Sequence, residues 1–95
     1  QHIVAVENII AIEAQESYCI IFTTTQKVTA SKNLKHFETL LEPLDNFLRT
    51  HKSWIINKNH LLHYSKSDFT LQLNGGVTAK YSKYKKAELE EALKR

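Results

Sequence analysis

A seven-residue segment near the C-terminus, KYSKYKK (80–86), interleaves four lysines with two tyrosines and a serine. Ammonium groups bind phosphate oxygens, hydroxyl groups add hydrogen-bond donors, and the backbone amides of a following helix favour an anion. This combination is typical of a surface that binds a polyanion such as nucleic acid. The alternative interpretation is a solvated face whose lysines balance Glu88, Glu90 and Glu91, because such pairs are common on helices.

A second group of donors surrounds His51, which lies between Arg49 and Lys52 and is followed by Ser53. These residue types also suit an anionic ligand. Two roles for His51 stay open at this point, since the ring either contacts a ligand directly or braces its own loop.

Charge is unevenly distributed along the chain. Residues 1–48 hold three lysines against six acidic residues, a balance of −3, whereas residues 49–95 hold ten Lys and Arg against four, a balance of +6. The second half is therefore the expected polyanion surface, although a total of +3 is also an ordinary charge for solubility.

Enzyme and metal-binding signatures are absent from the sequence. It contains no GxSxG, GxGxxG, P-loop or HExxH motif, and its only two glycines are adjacent. Cys19 lies inside a β-prone run, which favours an interior thiol over a nucleophile. His60 and His63 are three residues apart and so face opposite sides of a strand. We expect no catalytic residue, no metal site and no cofactor, and therefore no enzyme.

Length and composition predict one globular domain over residues 1–95. A chain of 95 residues with 42% apolar and 24% charged residues is too short for two domains and too apolar for disorder. No apolar run approaches the ~20 residues that span a bilayer, so we expect no membrane association. The single cysteine excludes an internal disulfide and favours a reducing compartment, the cytoplasm.

The elements that position these residues are predicted to be mostly strands. Alternating and β-branched residues predict strands at 3–7, 9–14, 18–25, 27–30, 47–49, 60–65, 69–73 and 77–79. Residues 50–53 are predicted as a polar loop, after which 54–56 enter the interior. Gly75 and Gly76 supply the positive φ angles that a tight hairpin turn needs.

Two helices are predicted as well. The first packs an apolar stripe on the sheet, and its members are Leu34, Phe37, Leu40 and Leu41. Ser31 or Asn33 is its expected N-cap, and Pro43 ends it. The second is a charged helix over residues 85–93.

Four segments, in order, resemble the LytTR-type DNA-binding domain, the output module of many bacterial two-component response regulators. They are NIIAIEA (8–14) followed by a polar loop and Tyr18, NLKHFETLL (33–41), FLRTHKSWIIN (47–57), and Ser82-Lys83. The third is similar to the family's F-x-R-x-H-x-S-x-hydrophobic-hydrophobic-N, and the fourth to its S-R ahead of the last helix. The resemblance covers nearly the whole chain.

The resemblance implies a mainly β fold, an elongated antiparallel β-β-β arrangement of about ten short strands in three small sheets with one or two short helices. It also implies that loops, not a recognition helix, hold the DNA. The loops at 15–18 and 81–85 are expected in successive major grooves, and the loop at 50–53 against the backbone or minor groove between them.

The residues expected to bind DNA on this basis are Ser17, Tyr18, His51, Lys52, Ser53, Ser82, Lys83, Tyr84 and Lys85. One departure concerns Lys83, since the family often has arginine there. Lysine binds a phosphate or a guanine but lacks the bidentate fork that reads O6 and N7 together.

The resemblance predicts sequence-specific binding of duplex DNA and control of transcription at paired direct repeats in promoters. We expect a receiver domain upstream, so that a chain starting at Gln1 is an excised fragment, monomeric alone, whereas the full-length protein is a dimer on DNA. Two alternatives stay open. One is a protein-interaction module that uses exposed strand edges. The other is an RNA-binding β domain, although the exposed sheet-face aromatics expected of one are not evident.

Overall fold

Two antiparallel sheets form the frame of the molecule. The computed structural model describes residues 3–94, so Gln1, His2 and Arg95 of the predicted domain lie outside the described residues. The elements are β1 (Ile9–Ala14), β2 (Cys19–Thr23), β3 (Lys27–Ala30), α1 (Leu34–Leu41), β4 (Phe47–His51), β5 (Trp54–Asn57), β6 (Leu61–Ser65), β7 (Thr70–Leu73), β8 (Val77–Lys80) and α2 (Lys86–Leu93). One sheet has the order β3-β2-β1-β5-β4 and the other β6-β7-β8. The molecule is elongated, with extents of 38 × 25 × 24 Å along its principal axes.

The predicted class, mainly β and antiparallel with two short helices, is confirmed. The count is corrected: residues 3–94 contain eight strands in two sheets, not about ten in three. The strand predicted at 3–7 does not form, and Val6–Asn8 instead makes a 3₁₀ turn. The physical reason is that the backbone turns here: the Asn8 N–H donates to the Ala5 carbonyl at 3.0 Å, so its hydrogen bond is local and not to a neighbouring strand.

β1 is buried on both faces because it lies at the centre of the larger sheet. One face packs against α1 and contributes Ile12 to a cluster with Leu34, Leu41 and Ile55. The opposite face packs against the smaller sheet, where the cluster comprises Ile10, Ala11, Trp54, Ile56, Leu71, Leu73, Val77, Ala79, Tyr81 and Leu89. A run as apolar as IIAIEA is typical of a strand buried on both faces.

α1 begins at the residue that the sequence suggested. The Asn33 side chain accepts a 2.9 Å hydrogen bond from the His36 N–H, as an N-cap does. Leu34 and Leu41 are buried and Phe37 is half-buried. Leu40 is 62% exposed, contrary to the predicted stripe. Six residues of helix rotate it by about 120° from Leu34, which carries it off the buried face.

Asn57, the last residue of the FLRTHKSWIIN segment, has a structural role. Its side chain is fully buried; the oxygen accepts from Asn46 Nδ2 and from the Asn59 N–H, both at 2.9 Å, and Nδ2 donates to the Ile9 carbonyl at 2.8 Å. The amide therefore ties the start of β1 to the end of β5. The predicted hairpin at 74–76 also forms, with φ of 74° at Gly75 and 71° at Gly76.

Candidate nucleic-acid interface

The three loops singled out in the sequence lie side by side at one end of the molecule. The Ala14 N–H donates to the Ser53 carbonyl at 2.8 Å, which joins the first loop to the second. The Ser82 N–H donates to the Thr50 carbonyl at 2.8 Å, which joins the third loop to the second. We call this surface, residues 15–18, 50–53 and 81–85, the loop end. Its order follows from the pairing of β1 with β5, which sets Glu13 opposite Trp54.

The first loop displays both residues predicted there. The Gln15 N–H donates to the Tyr18 carbonyl at 2.8 Å and closes the turn between β1 and β2. Ser17 is exposed, and Tyr18 is 40% exposed. A cleft of about 240 Å³ separates this loop from the residues that precede α1.

The second loop is shorter than predicted. Thr50 and His51 belong to β4, and Lys52 and Ser53 form the turn into β5. A β-bulge between Arg49 and His51 bends β4 just before this turn. Thr50 is buried, and its Oγ1 donates to the Lys80 carbonyl at 2.8 Å, so it braces the third loop. Lys52 is exposed, whereas His51 and Ser53 are half-buried.

The His51 ring braces its own loop, which is one of the two roles that the sequence left open. The Ser53 N–H donates to Nδ1 at 3.1 Å, which braces the turn and leaves the proton of the neutral ring on Nε2. Burial, followed by the positive charges of Lys80, Lys52 and Arg49, lowers the pKa of His51 from its ordinary value of 6.5. At neutral pH the ring is therefore uncharged. Among the described residues Nε2 has no hydrogen-bond partner, so it remains available as a donor.

The third loop contains a buried tyrosine and an exposed one. Tyr81 is 2% exposed, its hydroxyl donates to the Ser65 carbonyl at 2.7 Å, and its ring meets Phe69 edge-on with centroids 5.4 Å apart. Tyr84 is 94% exposed in the 3₁₀ turn Lys83–Lys85. The aromatic side chain that anchors this region in the core is therefore Tyr81, and Tyr84 is presented to solvent.

Ser82 and Lys85 of the third loop face the second loop. Lys83 is exposed, whereas Ser82 and Lys85 are half-buried. Lys85 Nζ lies 3.5 Å from Glu88 Oε1, so part of its charge is balanced by α2. A cleft of about 300 Å³ separates the two loops, and its lining is Glu38, Arg49, His51, Lys52, Ser82 and Lys85.

Arg49 is a residue of this surface that the sequence reasoning did not select. Its Nε donates to the His51 carbonyl at 2.9 Å, its Nη2 to the Lys52 carbonyl at 2.8 Å, and its Nη1 to Glu38 Oε1 at 2.9 Å. The arginine of the F-x-R-x-H-x-S pattern marks the position. No local signal marks Glu38 as its partner, because that pairing depends on where α1 packs.

Other chemistries find little support in the part of the chain described. Within residues 3–94 no group of three His, Cys, Asp or Glu is placed to hold a metal ion. His60 instead bonds to the Glu7 carbonyl at 2.8 Å through Nε2 and to Asn74 at 3.0 Å through Nδ1. Burial raises the pKa of the Cys19 thiol, which disfavours the reactive thiolate. No helix in this range has the length and apolarity to cross a membrane.

Comparison with known proteins agrees with this geometry. The sequence profile of the LytTr DNA-binding domain family matches residues 1–94. The LytTr DNA-binding domain of a Bacillus cereus protein described as a methyl-accepting/DNA response regulator superposes with a TM-score of 0.82 at 27% identity, over 95% of this chain and 84% of that one. The sensory transduction protein LytR of Staphylococcus saprophyticus is 35% identical over 60 residues, which are 63% of this chain and 23% of that protein.

The small antiparallel β fold and the family match together define the class of this chain as a DNA-binding domain. The match over 1–94 shows that the chain belongs to the LytTr DNA-binding domain family, so the family resemblance is confirmed and the domain binds DNA.

Proposed function

We propose that the domain binds duplex DNA in a sequence-specific manner through the loop end. The observation that carries this proposal is the hydrogen-bonded continuity of the three loops on one surface. That surface displays Lys52, Lys83 and Tyr84 to solvent. It therefore offers phosphate-binding and base-reading groups together, which a sequence-specific interface requires.

Charged and neutral donors have different roles in this proposal. Lys52 binds the phosphate backbone, and Lys83 binds either a phosphate or a guanine. His51 offers Nε2–H to a phosphate oxygen while remaining uncharged. The other residues proposed to contact DNA are Ser17, Tyr18, Ser53, Ser82, Tyr84 and Lys85.

The order of the loops along this surface supports contact with two successive major grooves. Hydrogen bonds from Ala14 to Ser53 and from Ser82 to Thr50 hold the loop at 50–53 between the other two. The outer loops at 15–18 and 81–85 flank the loop at 50–53, which corresponds to the intervening backbone or minor groove. We propose this order of contacts for a single bound domain.

The binding test begins with selection of bound duplexes from a random DNA pool, followed by titration of the selected duplex. We expect the affinity to fall steeply between 50 and 200 mM salt, by roughly 10³-fold for six phosphate contacts. Random duplex, single-stranded RNA and heparin serve as competitors. Equal affinity for all of them would refute sequence specificity and leave only non-specific charge attraction, and a salt-insensitive interaction would favour a protein-docking strand edge.

The context of the domain belongs to the proposal as well. The match to the LytR relative covers only 23% of that protein, whose name describes sensory transduction. We propose that this chain is the output domain of a response regulator, with a receiver domain elsewhere in the full protein. It would then act in the cytoplasm by binding promoter DNA, without catalysis.

Paired direct repeats and dimerisation are tested with the isolated domain. Sedimentation of the domain alone should give a monomer, and a duplex carrying two selected sites should bind two copies with little cooperativity. The full-length protein should bind the same duplex cooperatively as a dimer. Strong self-association of the isolated domain would contradict the assignment of dimerisation to other parts of the protein.

A further inference from the structure

All three guanidinium nitrogens of Arg49 bond within the protein, although this residue lies in the basic segment beside Lys52. Its Nε and Nη2 donate to the consecutive carbonyls of His51 and Lys52, at 2.9 and 2.8 Å. Its Nη1 pairs with Glu38 of α1 at 2.9 Å, and the Arg49 side chain is only 23% exposed. Three of the five guanidinium N–H groups are used in this way, so the larger part of the fork is committed to the protein and not to a phosphate.

The two carbonyls that accept these bonds shape the second loop. They follow the β-bulge between Arg49 and His51, where regular strand pairing is interrupted. Lys52 lies in the turn, outside the ladder, whereas His51 is paired with Trp54, and Arg49 supplies a donor to both carbonyls. The bonds therefore fix the turn that presents Lys52, together with the backbone that carries the His51 ring.

We infer that Arg49 is a positioning residue for DNA recognition and that Glu38 anchors it from α1. The inference rests on the proposed function, since it assigns the second loop to DNA. It makes α1, which lies outside the loop end, part of the apparatus that shapes the interface. Arg49 contributes the form of the loop, and Lys52 contributes the charge.

Glu38 gives this inference a test with a definite sign. If Arg49 were a phosphate contact, Glu38→Ala would free its guanidinium and remove a repelling carboxylate, so the affinity for DNA would rise. If Arg49 positions the loop, the same change releases the guanidinium from its anchor and the affinity falls. Glu42→Ala is the matched control, because it removes one carboxylate at the end of the same helix and has no ion pair among the described residues.

Substitutions of Arg49 separate charge from shape. We expect Arg49→Ala and Arg49→Lys each to weaken the selected duplex by about tenfold or more, because bonds to a charged group are lost in both. The slope of log affinity against log salt should stay at the wild-type value, since no released counterion is attributed to Arg49. Rescue by Arg49→Lys, or a slope reduced by about 0.9 in Arg49→Ala, would overturn the inference.

A measurement without DNA keeps this inference separate from the proposed function. Amide hydrogen exchange of Ser53, whose N–H donates to His51 Nδ1, should accelerate in Arg49→Ala and Glu38→Ala but not in Glu42→Ala. Unchanged exchange in both variants would refute the positioning role even if binding falls. If exchange accelerates in these variants but the wild-type protein does not bind duplex DNA, the brace formed by Arg49 is supported and the proposed function is refuted. Glu38→Ala leaves the Arg49 side chain and its two carbonyl partners in place, so it remains informative if Arg49→Ala fails to fold.

Discussion

Replacement of the exposed pair Lys83 and Tyr84 by alanine distinguishes a DNA-reading loop from a structural one. Tyr84 is 94% exposed and Lys83 is exposed as well. Exposed substitutions of this kind usually change the free energy of unfolding by no more than about 0.5 kcal/mol. We therefore expect the melting temperature of the double variant to stay within about 4 °C of wild type.

The effect on DNA binding should be much larger. Each good base contact contributes ~1–3 kcal/mol of discrimination, so loss of two reduces the preference for the selected duplex by about 30-fold or more. Fluorescence anisotropy of the selected and random duplexes at one salt concentration measures this preference. Single variants apportion the loss between the two side chains.

Tyr81→Phe is the matched structural control, since this tyrosine lies three residues before Tyr84 but is buried. The change removes the 2.7 Å hydrogen bond to the Ser65 carbonyl, so that the carbonyl loses the donor that Tyr81 supplied. We expect a loss of about 1–2 kcal/mol in unfolding free energy and a melting temperature lower by roughly 4–16 °C. The preference for the selected duplex should persist below that melting temperature. If the Lys83/Tyr84 variant instead melts early and keeps its sequence preference, the assignment of this loop to DNA is wrong.

Three further changes test other parts of the structure. Lys52→Ala should weaken all duplexes alike and reduce the salt slope by about one unit, and a loss confined to one sequence would refute a backbone role. Because folding lowers the pKa of His51, its contribution to stability is complete above pH ~6.5 and is lost as the pH falls through the depressed value. The free energy of unfolding in urea should therefore decline less between pH 8 and pH 5 in His51→Gln than in the wild type. Equal declines in the two proteins would contradict this. Asn57→Ala removes three buried hydrogen bonds and should cost about 2–4 kcal/mol in urea unfolding, so a change below about 0.5 kcal/mol would refute its structural role.

Local pattern was sufficient for most elements of this fold. β3 and the start of α1 agree with the sequence, because β-branched residues and an N-cap are local signals. The strand predicted at 3–7 does not form, since the chain turns at Val6–Asn8 and the Asn8 N–H bonds locally to the Ala5 carbonyl. A preference for extended backbone does not reveal whether a neighbouring strand is in place to pair with it.

The loop end was predictable in composition but not in its internal bracing. Lys52, Lys83 and Tyr84 are exposed and accessible to a partner, as the polar residues around them in the sequence indicated. The brace from Arg49 to Glu38 and the burial of Thr50 depend on contacts between elements far apart in sequence. A basic residue in a basic segment therefore gave no sign that its charge is directed inward.

Chemical-shift mapping of the isotope-labelled domain with a selected duplex tests the central claim most directly. The account predicts that the largest amide shifts cluster at residues 15–18, 50–53 and 81–85, with little change along β3 and β6. Shifts concentrated on those two strands, or spread evenly over all lysines, would contradict recognition of DNA by the loop end.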